Sequence, residues 1–282
     1  MAYLTISVSA LLFSLVFLFS DRFRARYGDA TDTVLQFTAG AHAAGCAALL
    51  IMNRFRIEIT PFTLLTAGLA AVDLILYQLC SLRAMGRTSL SKYAVFSMIG
   101  GMALPFFAGL LFFDEPLTAG KALCLLLVGG AVACTLQKED RAGGTGYYLG
   151  VFLTNGLYGV INKWFSAAAF PKASEAGYSL LAEGFTAILC LLLLPFVRER
   201  SGLVKGRGLL QMGAYGLLCA IGNYLLLLAL RTLPATAQYP FVTGGVMLLS
   251  TLYSCFSARK PGKRELAAVL LALLGIAALL LL

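Results

Sequence analysis

Long apolar runs, separated by short polar or glycine-containing breaks, make up nearly the whole chain. A helix needs roughly 20 apolar residues to cross the hydrocarbon core of a bilayer, and ten runs come close to that length. The predicted spans are 2–20, 31–52, 61–82, 88–113, 117–137, 146–168, 174–197, 208–230, 233–256 and 265–282. The pattern therefore predicts an all-α, polytopic membrane protein with ten transmembrane helices.

Composition supports this prediction, because 60% of the 282 residues are apolar and only 12% are charged. Ordinary soluble domains are about 45–50% apolar and about 25% charged, so a soluble globular or disordered protein is excluded. The first run lacks a basic leader and an Ala-x-Ala cleavage site, which favours a retained helix over a signal peptide. We expect a multi-pass protein of a cell membrane, with the bacterial cytoplasmic membrane favoured.

The net charge of +9, from 22 basic and 13 acidic residues, has its source in the connections between spans. Basic residues there meet headgroups and set orientation, so nucleic acid is not an expected partner. Most of them follow odd-numbered spans. This distribution predicts that the odd connections are cytoplasmic and that both ends of the chain are outside.

Internal similarity divides the chain into two halves, 1–141 and 142–282. The glycine pair at 100 and 101 recurs at 244 and 245, which is 144 positions later, and Gly40 matches Gly184 at the same distance. Five spans, an odd number, precede the second half, so that half must enter the membrane from the opposite side. The sequence thus predicts a 5+5 inverted repeat, an arrangement typical of carriers that work by alternating access.

The stretch GGMALPFFAGLLFFDEPLTAGKALCLLLVGGAVA at 100–133, within this repeat, resembles the EamA-type transporters of the drug/metabolite transporter (DMT) superfamily. The most recognisable part runs from the glycine pair through Glu115 and Pro116 to Gly129 and Gly130. The resemblance implies transport of small metabolites and leaves the substrate open. It also implies cytoplasmic termini, opposite to the orientation that the basic residues predict. No acidic residue occupies helix 1 or helix 6, so the glutamate used by the small multidrug members has no counterpart here.

Three ionisable residues lie deep in predicted spans, where an unpaired charge costs several kcal/mol. Glu183 and Asp73 are midway along helices 7 and 3, and either could bind a proton or a cationic substrate group, or form a structural hydrogen bond. Glu183 is the first choice, because Gly184 and Gly177 leave room for a ligand. His42, in helix 2, is either a proton carrier or a helix-helix hydrogen-bonding group.

Polar and aromatic residues supply further candidates for substrate binding. Asn155, Tyr158 and Asn162 share one face of helix 6, which we expect to point into the bundle. Others occur at similar positions in both halves, as a site on a pseudo-twofold axis would require. These are Tyr77, Gln78 and Tyr93 in the first half, and Asn223, Tyr224 and Tyr239 in the second. Interhelical hydrogen bonding, or for Tyr93 and Tyr239 an interfacial belt, is the alternative.

Small residues and prolines in helices 4 and 9 indicate close packing or a gate. Glycine permits close helix approach, and proline removes a helical hydrogen bond. The residues concerned are Gly100, Gly101, Pro105, Pro240, Gly244 and Gly245. Asp114 and Glu115 are expected at the N-terminus of helix 5, where negative charge complements the helix dipole.

These features predict a secondary transporter, not driven by ATP, for a small metabolite such as an amino acid or organic cation, with proton coupling left open. The chain has no phosphate-binding loop and a single histidine, so neither an enzyme nor a metal or other cofactor is expected. A flippase for a lipid or lipid-linked sugar, and a scaffold without transport, are the alternatives. Expected partners are the substrate, the bilayer and any coupled protons, for a monomer or homodimer.

Overall fold

The computed structural model describes residues 2–87, 90–135, 145–198, 201–255 and 262–281, and these residues form helices and connections without any strand. The helices are α1 (Ala2–Tyr27), α2 (Thr31–Met52), α3 (Pro61–Met85), α4 (Leu90–Phe112), α5 (Ala119–Thr135), α6 (Thr145–Ala167), α7 (Glu175–Leu193), α8 (Arg207–Ala229), α9 (Ala235–Cys255) and α10 (Lys263–Leu281). A 3-10 turn, Leu194–Phe196, follows α7. The all-α fold class is confirmed.

Five helices within the described ranges are long and apolar enough to cross a membrane by length and composition: α1, α2, α3, α7 with its 3-10 turn, and α8. Leucines on the outer surface of these helices are exposed, for example Leu4, Leu65 and Leu192. Such large exposed apolar surfaces are unfavourable in water and favourable in lipid, so the chain has the character of a membrane protein.

Local sequence explains where α3 and α7 begin. The Thr60 side chain accepts a hydrogen bond from the Thr63 N–H, and Pro61 occupies the first turn of α3. At the start of α7 the Ser174 hydroxyl oxygen accepts from the Gly177 N–H. These side chains satisfy amide groups that have no partner within the helix. Both helix starts also mark the change from a polar connection to an apolar run.

The first helix is longer than the sequence pattern predicts, because α1 continues to Tyr27 instead of ending near residue 20. Its last turns are polar on one side, where Arg24 and Asp21 form an ion pair at 3.0 Å. On the other side Phe23 is buried and its ring stacks on that of Tyr27. An apolar-run criterion misses such an amphipathic extension.

Helix packing repeats between the two halves of the chain. The contact between α1 and α8 corresponds to the contact between α6 and α3. In the same way, the contact between α1 and α9 corresponds to that between α6 and α4. The pairs α2 with α7, α4 with α9, and α5 with α10 each join helices that are five apart in order. Adding five to both helix numbers of a pair, counted round the ten, thus converts one contact into another. Helices α5 and α10 lie at the periphery, where they pack mainly against each other.

Corresponding helices in the two halves run antiparallel. His42 in the middle of α2 meets Glu183 in the middle of α7, while Asp32 at the start of α2 accepts a hydrogen bond from Ser201, beyond the end of α7. In the same way a Cβ on Gly109, near the end of α4, would lie 3.2 Å from Thr236, at the start of α9.

Glycines allow the backbones of facing helices to approach closely. A Cβ on Gly100 would collide with the backbone of Phe152, and one on Gly216 with the carbonyl of Ala41. The two contacts join α4 to α6 and α8 to α2. Small residues at such crossings increase van der Waals contact between helices, which is important in lipid because apolar burial supplies little driving force there.

Candidate substrate cavity

A cavity of about 90 Å³, with mostly apolar walls that carry several polar side chains, lies at the centre of the bundle. Helices α1 to α4 of the first half and α6, α8 and α9 of the second line it, with side chains that include His42, Asp73, Gln78, Asn155 and Asn223. Its volume exceeds that needed for a water molecule several times over. Pockets for drug-sized ligands are commonly about 300–1,000 Å³, so the cavity in this conformation suits only a small solute.

His42 and Glu183 form a buried pair at one wall of the cavity. The Nδ1 atom of His42 lies 2.6 Å from Oε2 of Glu183, and both residues are 3% exposed. The pair connects α2 of the first half to α7 of the second. An imidazole N–H donates and a carboxylate oxygen accepts, so the contact can hold one shared proton or a charge pair.

Asp73 and Gln78 stand out on α3 because their polar atoms have no hydrogen-bond partner among the described residues. Both carboxylate oxygens of Asp73 and both amide heavy atoms of Gln78 are in this state. The two residues are 3% and 1% exposed and line the cavity. Buried polar groups in proteins are almost always hydrogen-bonded, and unpartnered ones in a cavity point to a ligand that completes their bonding.

A cluster of hydroxyl groups extends from the cavity toward one end of the bundle. The hydroxyl of Tyr77 lies 2.8 Å from that of Tyr93 and 3.2 Å from Ser97 Oγ. Ser81 Oγ lies 2.6 Å from the Tyr93 hydroxyl. Tyr93 is fully buried, so its assignment to an interfacial belt is wrong. The cluster instead holds α3 and α4 together beside the cavity.

Helices α6 and α9 close the opposite wall with side chains that donate to backbone carbonyls. The Asn155 amide donates to the Ser97 carbonyl at 2.6 Å, and the Tyr239 hydroxyl donates to the Gly159 carbonyl at 3.0 Å. Tyr239 is 6% exposed, so it too is buried and not part of an interfacial belt. These bonds join α6 to α4 and α9 to α6.

The structure distributes the twelve sequence-predicted binding residues over three positions. The residues that line the cavity are His42, Asp73, Tyr77, Gln78, Asn155, Tyr158, Asn223 and Tyr239. Glu183 and Tyr93 lie one hydrogen bond behind it, through His42 and Tyr77. Asn162, which accepts from the Tyr178 hydroxyl at 2.9 Å, also hydrogen-bonds the side chain of Tyr158 and so lies directly behind the cavity as well. Tyr224 lies elsewhere and packs beside the apolar cluster around Leu49.

The reason for preferring Glu183 over Asp73 is wrong. A Cβ on Gly184 would lie 3.4 Å from the sulfur of Cys46, and Gly177 is in the first turn of α7 near Ser174. Neither glycine opens space for a ligand beside Glu183. Glycine is as often used for helix contact as for ligand access, and the sequence alone does not separate the two uses.

The glycine and proline candidates lie at helix contacts, and in several cases these contacts adjoin the cavity. A Cβ on Gly101 would lie 2.6 Å from the Asn155 amide nitrogen, and one on Gly245 would lie 3.1 Å from Ala10. Pro105 and Pro240 are inside α4 and α9, and Pro105 packs against Gly159. Gly244 is buried in α9.

Several cavity residues were missed by the sequence reasoning. Tyr215 of α8, Thr243 of α9 and the phenylalanines of α1, Phe13 and Phe17, all contribute to the wall. Aromatic residues in apolar runs carry no local signal that distinguishes cavity from core or lipid. For Tyr215, no polar residue at the matching position of the first half draws attention to it.

Glu115 lies at one end of the bundle and joins three elements. Its carboxylate accepts from the N–H groups of Ala235 and Thr236 at 3.0 Å each, and from Lys163 Nζ at 2.6 Å. The expectation that Glu115 serves the N-terminus of α5 is therefore wrong, because it caps α9. Burial raises the pKa of the Glu115 carboxyl, but the hydrogen bonds from Lys163 and Thr236 outweigh this effect and hold the pKa below its ordinary value of 4.5.

Further polar contacts connect the halves at both ends. At the same end as Glu115, Arg231 pairs with Glu175, and the carboxylate of Glu58 accepts from the Ser174 N–H at 2.6 Å. The hydrogen bond that the Arg231 guanidinium donates to the Glu175 carboxylate raises the pKa of Arg231. At the opposite end, the Tyr27 hydroxyl donates to the Lys205 carbonyl at 3.0 Å. Contacts between polar groups thus join the two halves at both ends of the bundle.

Comparison with known proteins indicates the fold and no more. No family model matches the chain, and no curated protein matches it. Among solved structures, one named only "Crystal structure of protein" is similar with a TM-score of 0.69 at 20% sequence identity, over 98% of this chain and 96% of the other. Similarity of this kind, at such low identity, describes a shared arrangement of helices and carries no activity with it.

Proposed function

We propose that this protein is a secondary transporter of EamA type that moves a small cationic or zwitterionic metabolite, such as an amino acid or organic cation, by alternating access. In this proposal all ten helices cross the membrane, as two five-helix halves in opposite orientation. The symmetric set of helix contacts and the antiparallel course of α2 and α7 support the inverted arrangement. Exchange of the conformations of such halves would open the cavity to each face in turn.

The observation that carries the proposal is Asp73, a buried carboxylate without a hydrogen-bond partner, in a central cavity that both halves line. A carboxylate there would pair with an ammonium group, which offers up to three N–H donors. Gln78, also unpartnered, and Asn223 lie in the same cavity and can bond a carboxylate or hydroxyl of the same solute. A neutral apolar substrate would leave all these groups unsatisfied.

Proton coupling is assigned to the His42 and Glu183 pair. The pair is buried, joins the two halves and borders the cavity. A change in its protonation alters the attraction between α2 and α7, and thereby the balance between two arrangements of the bundle. This assignment requires that the pH gradient influence transport through the pair and not through Asp73 alone.

Flux into proteoliposomes tests the proposal, with amino acids and small organic amines as solutes, with and without a pH gradient. We expect saturable uptake of at least one solute by the native protein, and a loss of tenfold or more in Asp73→Asn. Asp29→Asn, at a half-buried carboxylate in the connection between α1 and α2, is the matched control and should retain the flux. An unchanged flux in Asp73→Asn would exclude Asp73 from binding.

The effect of the pH gradient on flux tests the assignment of proton coupling to the His42 and Glu183 pair. Glu183→Gln should remove the stimulation by the pH gradient while leaving exchange of substrate across the membrane measurable. Retention of the stimulation would show that the pair is only structural. A fluorescent-lipid translocation assay on the same vesicles should give no signal above that of empty liposomes; a signal would favour a flippase instead.

A further inference from the structure

A second cavity opens from the outer surface of the bundle toward Asp73. This lateral groove has a volume of about 480 Å³ and lies between α3 and α6, with the end of α4 across it. The residues that line it are Leu69, Val72, Asp73, Leu76, Phe112, Phe113, Leu157, Val160, Ile161 and Trp164. Apart from Asp73, every one of them is apolar or aromatic.

The walls of the groove face the surroundings of the bundle and not its core. Val72 is 52% exposed, Leu76 49% and Leu157 47%, and Phe112 at the outer end is 77% exposed. In the proposed membrane position this surface is in contact with acyl chains. The groove extends from near the middle of α3 toward the end of the bundle where Glu115 lies.

Asp73 is the one described residue that belongs to the walls of both cavities. It separates the lateral groove from the central cavity, and both of its carboxylate oxygens lack a hydrogen-bond partner within the part of the chain that the structure describes. A carboxylate at the inner end of an apolar groove is energetically unfavourable. The only chemistry that suits both surroundings joins an apolar chain to a cation.

We propose that the lateral groove binds the apolar part of an amphipathic amine while its ammonium group pairs with Asp73, so that substrates of this class reach the site from within the bilayer. This inference rests on the proposed transport function, since it takes Asp73 as a substrate-binding group and adds the substrate class. A phospholipid acyl chain in the groove would leave Asp73 unpartnered, and a fatty acid would place a second carboxylate beside it.

The dimensions of the groove set the size of the apolar part. Along α6 the wall rises about 10 Å from Leu157 to Trp164, which suits a chain of roughly eight carbons. At the outer end, Lys163 lies over the Phe113 ring at 5.3 Å and is paired with Glu115, so its charge is compensated. Among the described residues, the groove therefore holds one ionisable side chain without a partner, Asp73, at its inner end.

Trp164 provides a direct test, because it is the single tryptophan of the chain and lines the groove. We would titrate protein in lipid nanodiscs with 8-bromooctylammonium, whose terminal bromine quenches tryptophan fluorescence on contact. The expected result is saturable quenching above the linear background due to partition into lipid. Asp73→Asn should raise the half-saturation concentration at least tenfold, because the ammonium loses its charged partner.

Two leucines of α6 with the same exposure make a matched pair. Leu153 and Leu157 are each 47% exposed, and only Leu157 lines the groove. Leu157→Phe should weaken the saturable quenching severalfold by filling the groove, and Leu153→Phe should leave it unchanged. Equal quenching by 8-bromooctanol, which lacks the charge, would overturn the proposal, as would quenching that Asp73→Asn does not change.

Flux measurements on the native protein separate this inference from the proposed function. Uptake of small solutes without saturable quenching would overturn the groove site and leave the transporter standing. Saturable, Asp73-dependent quenching without uptake of any solute would support the groove site and contradict transport.

Discussion

At the scale of single residues, the stabilisation from the buried His42 and Glu183 pair requires both partners. Removal of one partner from a buried pair leaves an uncompensated polar group, which costs about 3–5 kcal/mol, whereas removal of both costs much less. The pair lies 2.6 Å apart with both side chains almost fully buried. Its contribution is therefore non-additive, and a double-mutant cycle can isolate it.

We expect Glu183→Leu and His42→Leu each to lower the thermal unfolding temperature in detergent markedly. The double variant should be more stable than the sum of the two single effects predicts, by 1 kcal/mol or more. Differential scanning fluorimetry with a thiol-reactive dye measures all four proteins. Additive losses would mean that the two groups do not interact in the folded protein.

The sequence identified both members of this pair but not their contact. Their depth in apolar runs marked His42 and Glu183 as unusual. That α2 and α7 lie side by side is a property of the tertiary fold. The sequence also does not distinguish Asp73 from Glu183, since each lies midway along an apolar run. Only the structure reveals that Glu183 is paired with His42 and that Asp73 has no hydrogen-bond partner among the described residues.

At the scale of helices, apolar run length located all ten elements because lipid requires internally satisfied backbone. Helix ends were less predictable, as the polar last turns of α1 illustrate. The role of Glu115 was also not predictable from its position four residues before α5, because the amide groups that it caps belong to α9. Caps supplied from a distant connection leave no trace in local sequence.

The stability that Glu115 contributes to its end of the bundle depends on pH. Because its folded-state pKa is lowered, the stabilisation is complete above the ordinary value of 4.5 and is lost as the pH falls through the folded-state pKa. Glu115→Gln should therefore lower the unfolding temperature at pH 7, by the equivalent of about 2 kcal/mol. It should also flatten the decrease that the native protein undergoes below about pH 4.5.

Asp114→Asn is the control for this prediction, since Asp114 is exposed and its backbone φ of 50° is tolerated by asparagine. Its unfolding temperature should match that of the native protein at pH 7. The assignment of Glu115 would be wrong if both variants behaved alike across the pH range.

Helix crossings depend on individual glycines, and α8 offers a comparison within one helix. A Cβ on Gly216 would collide with the Ala41 carbonyl, while one on Gly213 would meet open space. Gly216→Ala should destabilise the protein by about 1–3 kcal/mol through overpacking. Gly213→Ala should be neutral or stabilising by up to about 1 kcal/mol, because alanine favours helix. Chemical or thermal unfolding in detergent decides between these outcomes, and similar effects from the two substitutions would contradict a close α2–α8 crossing.

At the scale of the whole molecule, the antiparallel course of corresponding helices has a consequence that labelling in cells can test. In an inverted repeat, the connection after α2 and the corresponding connection after α7 must lie on opposite sides of the membrane; in a parallel repeat they would share a side. Ile57 and Leu203 are exposed residues in these two connections, at 56% and 78%.

Cysteines introduced there, with the exposed Cys255 replaced by serine, should react differently with a membrane-impermeant maleimide in intact cells. The basic residues further predict that Ile57→Cys is labelled from outside and that Leu203→Cys is labelled only after permeabilisation. The reverse pattern would retain the inverted repeat and exchange its two faces, as the EamA resemblance implies, whereas labelling of both sites from one side would exclude it. An alternating-access mechanism built on two inverted halves depends on that single distinction.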